Sequence, residues 1–243
     1  MTSYSNFVQD FPRRCIEILG LCLEHATTND RDVTLLLSIA TAGFVIPFER
    51  LRPLSPKHPA GDRENFENAK SEFDKIINNS FLNSKLWDNS EGWEFAEKIE
   101  EKDIREKQVD YWARLENRKP LSSEKPVISV LSHLRNALSH GSIFTCPNRI
   151  NKNEPVQIST LIFLSRCYEK QEVEVCDCGK KRKERVPIDK YNLLAVSPEN
   201  FRKFLEKWVE FLKSLNLTLP TIQDTISEFA QNEVEKDSIL NTE

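Results

Sequence analysis

The sequence predicts a mainly α fold: a helical bundle with a small antiparallel β insertion, at about residues 155–196, before its last long helix. Apolar residues recur at helical spacing over most of the 243-residue chain. The insertion is rich in Val, Ile, Thr and Phe, which favour strands. Only 6 residues are glycine, which argues against propellers and turn-rich sandwiches. We expect one domain over residues 1–219 and an acidic helix or tail over residues 220–243.

The first two predicted helices precede a proline-rich loop. Apolar spacing predicts a helix over residues 11–25, with Pro12 in its first turn. Residues 33–46 are apolar nearly all round, which is typical of a helix in the centre of a bundle. Pro47 should interrupt this helix, and residues 48–51 then begin a turn or a kinked extension.

The middle of the chain is rich in charged side chains. Residues 53–62 hold three prolines and a glycine, which predict a loop. Residues 61–119 then contain two amphipathic helical patterns. The first is formed by Phe66, Ala69, Phe73, Ile76 and Ile77, and the second by Trp93, Phe95, Ala96 and Ile99, followed by Val109 and Trp112. We interpret the surrounding charges as the solvated surface of these helices.

The last predicted elements are a helix, a few strands and a final helix. Residues 122–126 are a helix start, residues 124–140 form the helix, and Gly141 suits its C-terminal cap. Two or three short strands follow, within residues 155–168, 172–175 and 191–196. Ser197, Pro198 and Glu199 provide the N-cap and first turn of the last helix, whose apolar stripe is Phe201, Phe204, Leu205, Trp208, Phe211, Leu212 and Leu215.

Composition excludes several classes of protein. The net charge of −4 is inconsistent with a domain that is basic throughout, although a local nucleic-acid-binding patch stays possible. No run of eighteen apolar residues is present, so no membrane-spanning helix is expected, and the N-terminus lacks a secretory signal pattern. We therefore expect a cytoplasmic protein in which the six cysteines are reduced. Phosphate-binding loops, Gly-x-Gly fingerprints and Ser/His/Asp signatures are absent from the sequence.

The helix over residues 124–140 carries the most informative polar residues. On a helical wheel, Ser129, His133, Asn136 and His140 form one polar stripe. Arg135 lies about 140° from His140 on the same wheel. It can reach His140 by wrapping its side chain, through a change of backbone near Gly141, or from a neighbouring protomer. Taken singly, a histidine of this kind is more often a surface residue, or a core residue with its hydrogen bonds satisfied, than part of a functional site.

The segment Arg135-Asn136-Ala137-Leu138-Ser139-His140-Gly141 resembles the signature of the HEPN superfamily, the higher eukaryotes and prokaryotes nucleotide-binding proteins. That signature is an arginine, often followed by a polar residue, and a histidine after four to six residues. Residues 33–51 and 196–201 also resemble a plasmid-associated HEPN subfamily. The resemblance covers residues 5–215, and residues 61–119 match it poorly.

This resemblance implies a HEPN-like helical bundle that forms a homodimer with two motifs at one cleft. Many members are metal-independent endoribonucleases that act as toxins or defence effectors. The implied catalytic residues are Arg135, Asn136 and His140, with RNA as substrate, no cofactor and no metal. An antitoxin or another regulatory protein is a further implied partner. In one toxin subfamily a modified tyrosine follows the histidine by two residues, but this chain has Ser142 there.

Three further features have two interpretations each. Glu49 is either an acidic residue that some HEPN members carry or a carboxylate at a helix end. Cys176 and Cys178 are either half of a zinc site or thiols at a hairpin tip, and no second pair exists in the sequence. The basic run of Lys180, Lys181, Arg182 and Lys183 either binds RNA phosphates or forms a solvated turn.

Three functions therefore compete on sequence grounds. The first is a HEPN-type ribonuclease. The alternative is a non-catalytic HEPN module that binds RNA, nucleotide or a partner protein. A purely structural helical interaction protein is the third. The trio Arg135, Asn136 and His140 favours the ribonuclease, because a scaffold does not require this combination.

Overall fold

The structure is a computed structural model, and it describes residues 7–51, 71, 73–79, 84, 86, 92–106, 118–121, 125–148, 157–174 and 181–215. The described helices are α1 (Phe7–Thr28), α2 (Asp32–Ala40), α3 (Ile46–Leu51), α4 (Glu101–Glu106), α5 (Val127–His140) and α6 (Pro198–Ser214), and residues 73–77 are also helical. The strands are β1 (Glu94–Glu100), β2 (Lys119–Pro120), β3 (Ile143–Asn148), β4 (Gln157–Glu174) and β5 (Lys181–Val196). The predicted tail at residues 220–243 lies outside the described residues.

A five-stranded sheet makes the fold mixed α/β, so the prediction of a mainly α fold is wrong. The strands are all antiparallel, in the order β2-β1-β5-β4-β3. The sequence pattern indicated only two or three strands. The additional strands include β1, whose residues were predicted to be helical, and β3, which follows α5 directly.

Burial on both faces of the sheet and a β-bulge explain why this segment resembles a helix in the sequence. Trp93, Ala96 and Ile99 are buried at intervals of three residues, which is a helical spacing. Trp93 lies in the main core and Ala96 in the smaller core on the opposite face of the sheet. The register of β1 against β5 then shifts between Ala96 and Ile99, where Lys98 adopts a left-handed backbone with φ of 55°, and this extra residue puts Ile99 in the same core as Ala96. The side chain of Asn192 stabilises this bulge, because its Oδ1 accepts a hydrogen bond from the Lys98 backbone N–H at 3.1 Å.

The second and third helices form one continuous helix interrupted by a π turn at Thr41–Val45. The wide turn precedes Pro47, which has no N–H to donate and whose ring would crowd the carbonyl of Gly43 in a regular helix. Gly43 also lets α1 approach closely, since a Cβ at that position would lie 3.1 Å from the Cβ of Cys15. The chain therefore continues into α3, which corresponds to the kinked extension, one of the two alternatives predicted for residues 48–51. Helix α3 carries Glu49.

The helix from Asp32 to Leu51 is long and apolar enough to cross a membrane by length and composition alone, with a mean hydropathy of 1.5. The sequence, which has no run of eighteen apolar residues, does not predict such a helix. In the folded chain, however, Ala40, Phe44 and Phe48 are completely buried. They pack in the main core, as the central helix of a globular domain does.

The main core lies between the helices and one face of the sheet. Phe44 and Trp208 of α6 meet edge to face, with ring centroids 5.2 Å apart. The N-cap of α6 is the predicted one, because the Ser197 Oγ accepts the backbone N–H of Asn200 at 3.1 Å. A smaller core on the opposite face of the sheet includes Ile104 of α4. Pro12 lies inside α1 and not in its first turn.

Helix α5 crosses the helical side of the sheet and ends at the edge formed by β3. Gly141 adopts the left-handed conformation with φ of 63°, and Ser142 N–H bonds to the Ala137 carbonyl at 2.9 Å. The predicted cap is therefore confirmed. The Ser142 carbonyl then accepts the Leu164 N–H of β4 at 2.9 Å, which fixes the end of α5 against the sheet.

Candidate RNA-cleavage site

The polar stripe of α5 faces β4 at Asn136. The Asn136 Nδ2 donates to the Ser165 Oγ at 3.3 Å, and both side chains are partly buried. Ser165 lies on β4, next to the buried residues that pack against α5. This contact holds the amide of Asn136 in one orientation, with its oxygen available as an acceptor. No sequence motif pointed to Ser165, because its role depends on how β4 packs against α5.

The guanidinium of Arg135 is held on two of its edges. Its Nη1 donates to the Asn136 Oδ1 at 2.9 Å, and its Nε forms an ion pair with the Oε1 of Glu49. A guanidinium carries five N–H donors, so three are left over. Within the described part of the chain, no other residue accepts from them. The Arg135 side chain is 27% exposed, so a ligand can reach it.

Glu49 belongs to this cluster. The sequence left open whether it is a solvated carboxylate at a helix end or a member of the site. Its side chain is 36% exposed, and the carboxylate contacts Arg135 across the interface between α3 and α5. Nothing local in the sequence could have shown this pairing, since it depends on the π turn that directs α3 and on the packing of two distant helices.

His140 occupies the last turn of α5 and is exposed to solvent. Its ring makes no hydrogen bond or ion pair with any residue that the structure describes. Arg135 and Asn136 therefore meet directly, whereas His140 lies beside them on the helix without a bond to either. An exposed imidazole can exchange protons freely with solvent or substrate.

Comparison with known proteins shows the family of the chain. A family model described as HEPN pEK499 p136 matches residues 1–217, which include Glu49, Arg135, Asn136 and His140. The chain belongs to this HEPN family. No protein with a curated description and no solved structure matches it. The resemblance to a plasmid-associated HEPN subfamily is thus confirmed, and the protein is a HEPN-domain protein whose helices pack on an additional sheet.

The second histidine of the HEPN helix, His133, is a core residue. It is 6% exposed, its Nε2 lies 2.7 Å from the Phe163 carbonyl oxygen, and its ring meets Phe95 edge to face at 5.8 Å. Burial lowers the pKa of His133 to about 4, although the bond to the Phe163 carbonyl acts in the opposite direction. His133 is therefore neutral at physiological pH and cannot exchange a proton near neutrality.

The basic run starts β5. Lys181, Arg182 and Lys183 occupy the first three positions of this strand, and only their backbone is described; Lys180 lies outside the described residues. The sequence suggested a turn at the hairpin tip, whereas these three residues pair with β4 in the register Glu174–Lys181 to Glu172–Lys183. Their contact with RNA stays a prediction.

The two other features do not enlarge the site. Cys176 and Cys178 lie outside the described residues, and within the described ranges no group of three or more His, Cys, Asp or Glu side chains could hold a metal ion. An open cavity of about 450 Å³ is lined by residues such as Trp93, Ser159 and Ser197, and it contains no residue of the HEPN motif.

Proposed function

We propose that this HEPN protein is a metal-independent endoribonuclease, a cytoplasmic toxin or defence effector that cleaves RNA in a homodimer. The HEPN family contains both ribonucleases and nucleotide-binding proteins, so the activity has to be argued from the side chains. The fixed guanidinium of Arg135 is the observation that carries the proposal.

Arg135 is oriented but not saturated. The Glu49 carboxylate lies against Nε and Asn136 accepts one N–H of Nη1, so three N–H donors of the two terminal nitrogens stay available for phosphate oxygens. Donors that are held in place before the reaction stabilise developing negative charge without the cost of reorganisation. A purely structural ion pair would not need the second contact to Asn136, which is itself fixed by Ser165.

RNA supplies its own nucleophile, the 2′-OH. In the proposed reaction, a neutral His140 removes the proton of the 2′-OH as the O2′ forms a bond to the adjacent phosphorus. The bond from phosphorus to O5′ breaks, and the leaving oxygen takes a proton from a protonated imidazole. The products are a 2′,3′-cyclic phosphate and a 5′-OH, while Arg135 stabilises the charge on the non-bridging oxygens.

A dimer supplies the second imidazole. One His140 cannot act as base and acid in the same step, but two copies at a two-fold axis provide one neutral and one protonated ring. The exposure of His140 and its position at the end of α5 support this assembly, because both leave the ring accessible to a second protomer.

Purified protein incubated with total RNA and with tRNA in EDTA tests the proposal. We expect cleavage in EDTA and 2′,3′-cyclic phosphate ends. His140→Ala should lower the rate by about 10²–10⁴-fold, as the loss of a general acid or base does. The matched control is His25→Ala, since His25 is also exposed in the last turn of a helix but lies on α1.

Two outcomes would contradict the ribonuclease. One is cleavage that EDTA abolishes, and the other is a His140→Ala protein that cuts at the wild-type rate. Binding of RNA without any cleavage would favour the non-catalytic HEPN module.

A further inference from the structure

The β4–β5 hairpin extends beyond the rest of the sheet. Strand β1 pairs with β5 only up to Lys190, and β3 pairs with β4 only up to Phe163. From the pair Tyr168–Pro187 to the pair Glu174–Lys181, the two strands pair with no other described strand. We call these residues, 168–174 and 181–187, the arm. The arm begins at a bulge in β5, where Arg166 bonds to the Ile188 carbonyl and to Asp189.

Among the residues whose side chains the structure describes, the register divides the arm into two faces of opposite charge. Tyr168, Lys170, Arg185 and Pro187 lie on one face, which we call the basic face. Glu169, Gln171, Glu184 and Val186 lie on the other face. The four residues of the basic face are all exposed, and Tyr168 is 48% exposed.

Two cations stand directly opposite each other on the basic face. Lys170 pairs in register with Arg185, and neither forms an ion pair with a carboxylate among the described residues. Like charges at directly opposed positions destabilise a sheet. Arg185 also lies over the ring of Tyr168, with its Cζ 5.5 Å from the ring centroid. An unfavourable pair of cations beside an exposed aromatic ring is explained by a ligand that is both anionic and planar.

We propose that the basic face binds single-stranded RNA, with Lys170 and Arg185 on phosphates and Tyr168 against an unpaired base. Aromatic rings and basic side chains are the combination that binds single strands, because every base has a face to stack and every nucleotide a charge. A duplex does not offer an unpaired base. This surface is an addition to the proposed ribonuclease and rests on that function for its role.

The arm holds RNA away from the reacting atoms. Ile162 and Leu164 of β4 belong to the small core beneath α4, whereas Leu161 and Phe163 face the main core beside α5. Since β4 keeps its alternation, Tyr168 and Lys170 continue the face of Ile162 and Leu164, opposite to the face of Ser165. The basic face therefore contributes to RNA affinity and not to the chemical step.

A pair of arginine substitutions tests the surface. The full-length Arg185→Gln and Arg13→Gln proteins lose the same charge, one on the basic face and one on the surface of α1. The probe is a fluorescein-labelled single-stranded RNA with 2′-O-methyl groups, which cannot be cleaved, and the readout is anisotropy as a function of salt. We expect Arg185→Gln to bind several-fold more weakly, with a salt slope lowered by about 0.7 for the lost phosphate contact. Arg13→Gln should bind as wild type does.

Two further variants separate binding from folding. Lys170→Glu places a carboxylate opposite Arg185, so the arm should become more stable while RNA affinity falls; a melting temperature that does not decrease excludes unfolding as the cause. Tyr168→Ser should lower affinity by about fivefold or more without changing the salt slope, and Tyr168→Phe should keep the affinity.

The proposal is overturned if Arg185→Gln and Lys170→Glu bind RNA as wild type does, or if Arg13→Gln weakens binding equally. It is also overturned if the basic-face variants change the sedimentation of the protein and not its RNA affinity, since the face would then contact protein. If the proposed ribonuclease activity is wrong, the result is different: the wild-type protein leaves unmodified RNA uncut, while the differences in RNA affinity between the variants persist.

Discussion

The carboxylate of Glu49 and the guanidinium of Arg135 form an ion pair that joins the helix after the π turn to the helix of the HEPN motif. Both side chains are between a quarter and two fifths exposed, and such pairs contribute only about 0–1 kcal/mol to stability. The pair therefore matters more for orientation than for stability. It fixes the Nε edge of Arg135 while Asn136 fixes Nη1, so the remaining donors of the guanidinium have one direction.

Removing the Glu49 side chain should impair catalysis but not folding. Glu49→Ala frees the Nε edge of Arg135, and misplacement of a catalytic group costs about ten- to hundredfold in rate. Glu49→Gln should retain most of the activity, since an amide oxygen of the same size still lies against Nε. The measurement is the single-turnover cleavage rate, together with the thermal unfolding midpoint. Glu17→Ala is the control, because Glu17 forms a similar ion pair with Arg13 at 2.6 Å on the exposed side of α1. Wild-type cleavage by Glu49→Ala would contradict the orienting role.

Replacing Arg135 by lysine should not preserve cleavage. An ammonium is a point charge and cannot contact Glu49, Asn136 and a phosphate in the planar geometry of a guanidinium. We expect Arg135→Lys to be nearly as slow as Arg135→Ala in single-turnover assays with saturating RNA. Arg13→Lys, on the surface of α1, should cut at the wild-type rate. If Arg135→Lys restores the wild-type rate, the site requires a charge only, and the argument from fixed donors is wrong.

The parts of the fold with local signals could be predicted from the sequence. Helix α6 starts where Ser197 and Pro198 predict, because an N-cap and a first-turn proline act within a few residues. Gly141 ends α5 for an equally local reason, since the left-handed conformation costs glycine little. The motif residues Arg135 and Asn136 could be found for the same reason: their spacing is fixed by one helix.

Features that depend on tertiary contacts could not be predicted. The charged residues of β1 have low strand propensity, and burial on both faces of the sheet together with the bulge at Lys98 gives its buried residues a helical spacing. Only pairing with β5 makes this segment a strand. The position of Glu49 on Arg135 and of Ser165 on Asn136 likewise depends on the packing of distant elements. The sequence therefore indicated the motif and, through the family resemblance, Glu49 as one of two interpretations, but it did not indicate Ser165 or the contact between Glu49 and Arg135.

Mixed dimers test whether the site is shared between two protomers. If the site needs the His140 of both protomers, a mixed dimer of wild type and His140→Ala contains only one of the two imidazoles and should not cut. An excess of His140→Ala should therefore suppress cleavage by the wild-type protein. The same excess of His25→Ala is the control, because its mixed dimers keep both His140 residues and should cut as wild type does. Scattering that shows a monomer, or a dimer with the two His140 residues on opposite outer surfaces, would contradict the arrangement.

The last prediction concerns His133 and the acid stability of the fold. Burial lowers the pKa of His133 from 6.5 to about 4, so between these pH values the unfolded chain binds a proton that the folded chain does not. The free energy of unfolding therefore falls as the pH decreases through this window, by on the order of 3 kcal/mol from this residue. His133→Gln keeps a donor for the Phe163 carbonyl but does not titrate, so its unfolding free energy should depend less on pH between 6.5 and 4. Urea unfolding at a series of pH values measures the slope. The control is His25→Gln, which changes an exposed histidine of α1 and should retain the wild-type slope. The difference between the two variants then separates the contribution of the buried ring from that of the carboxylates, which also titrate on acidification. Equal slopes for His133→Gln and wild type would show that the ring accepts a proton in the folded protein, and His133 would then have to be reconsidered as a second titrating group beside the HEPN motif.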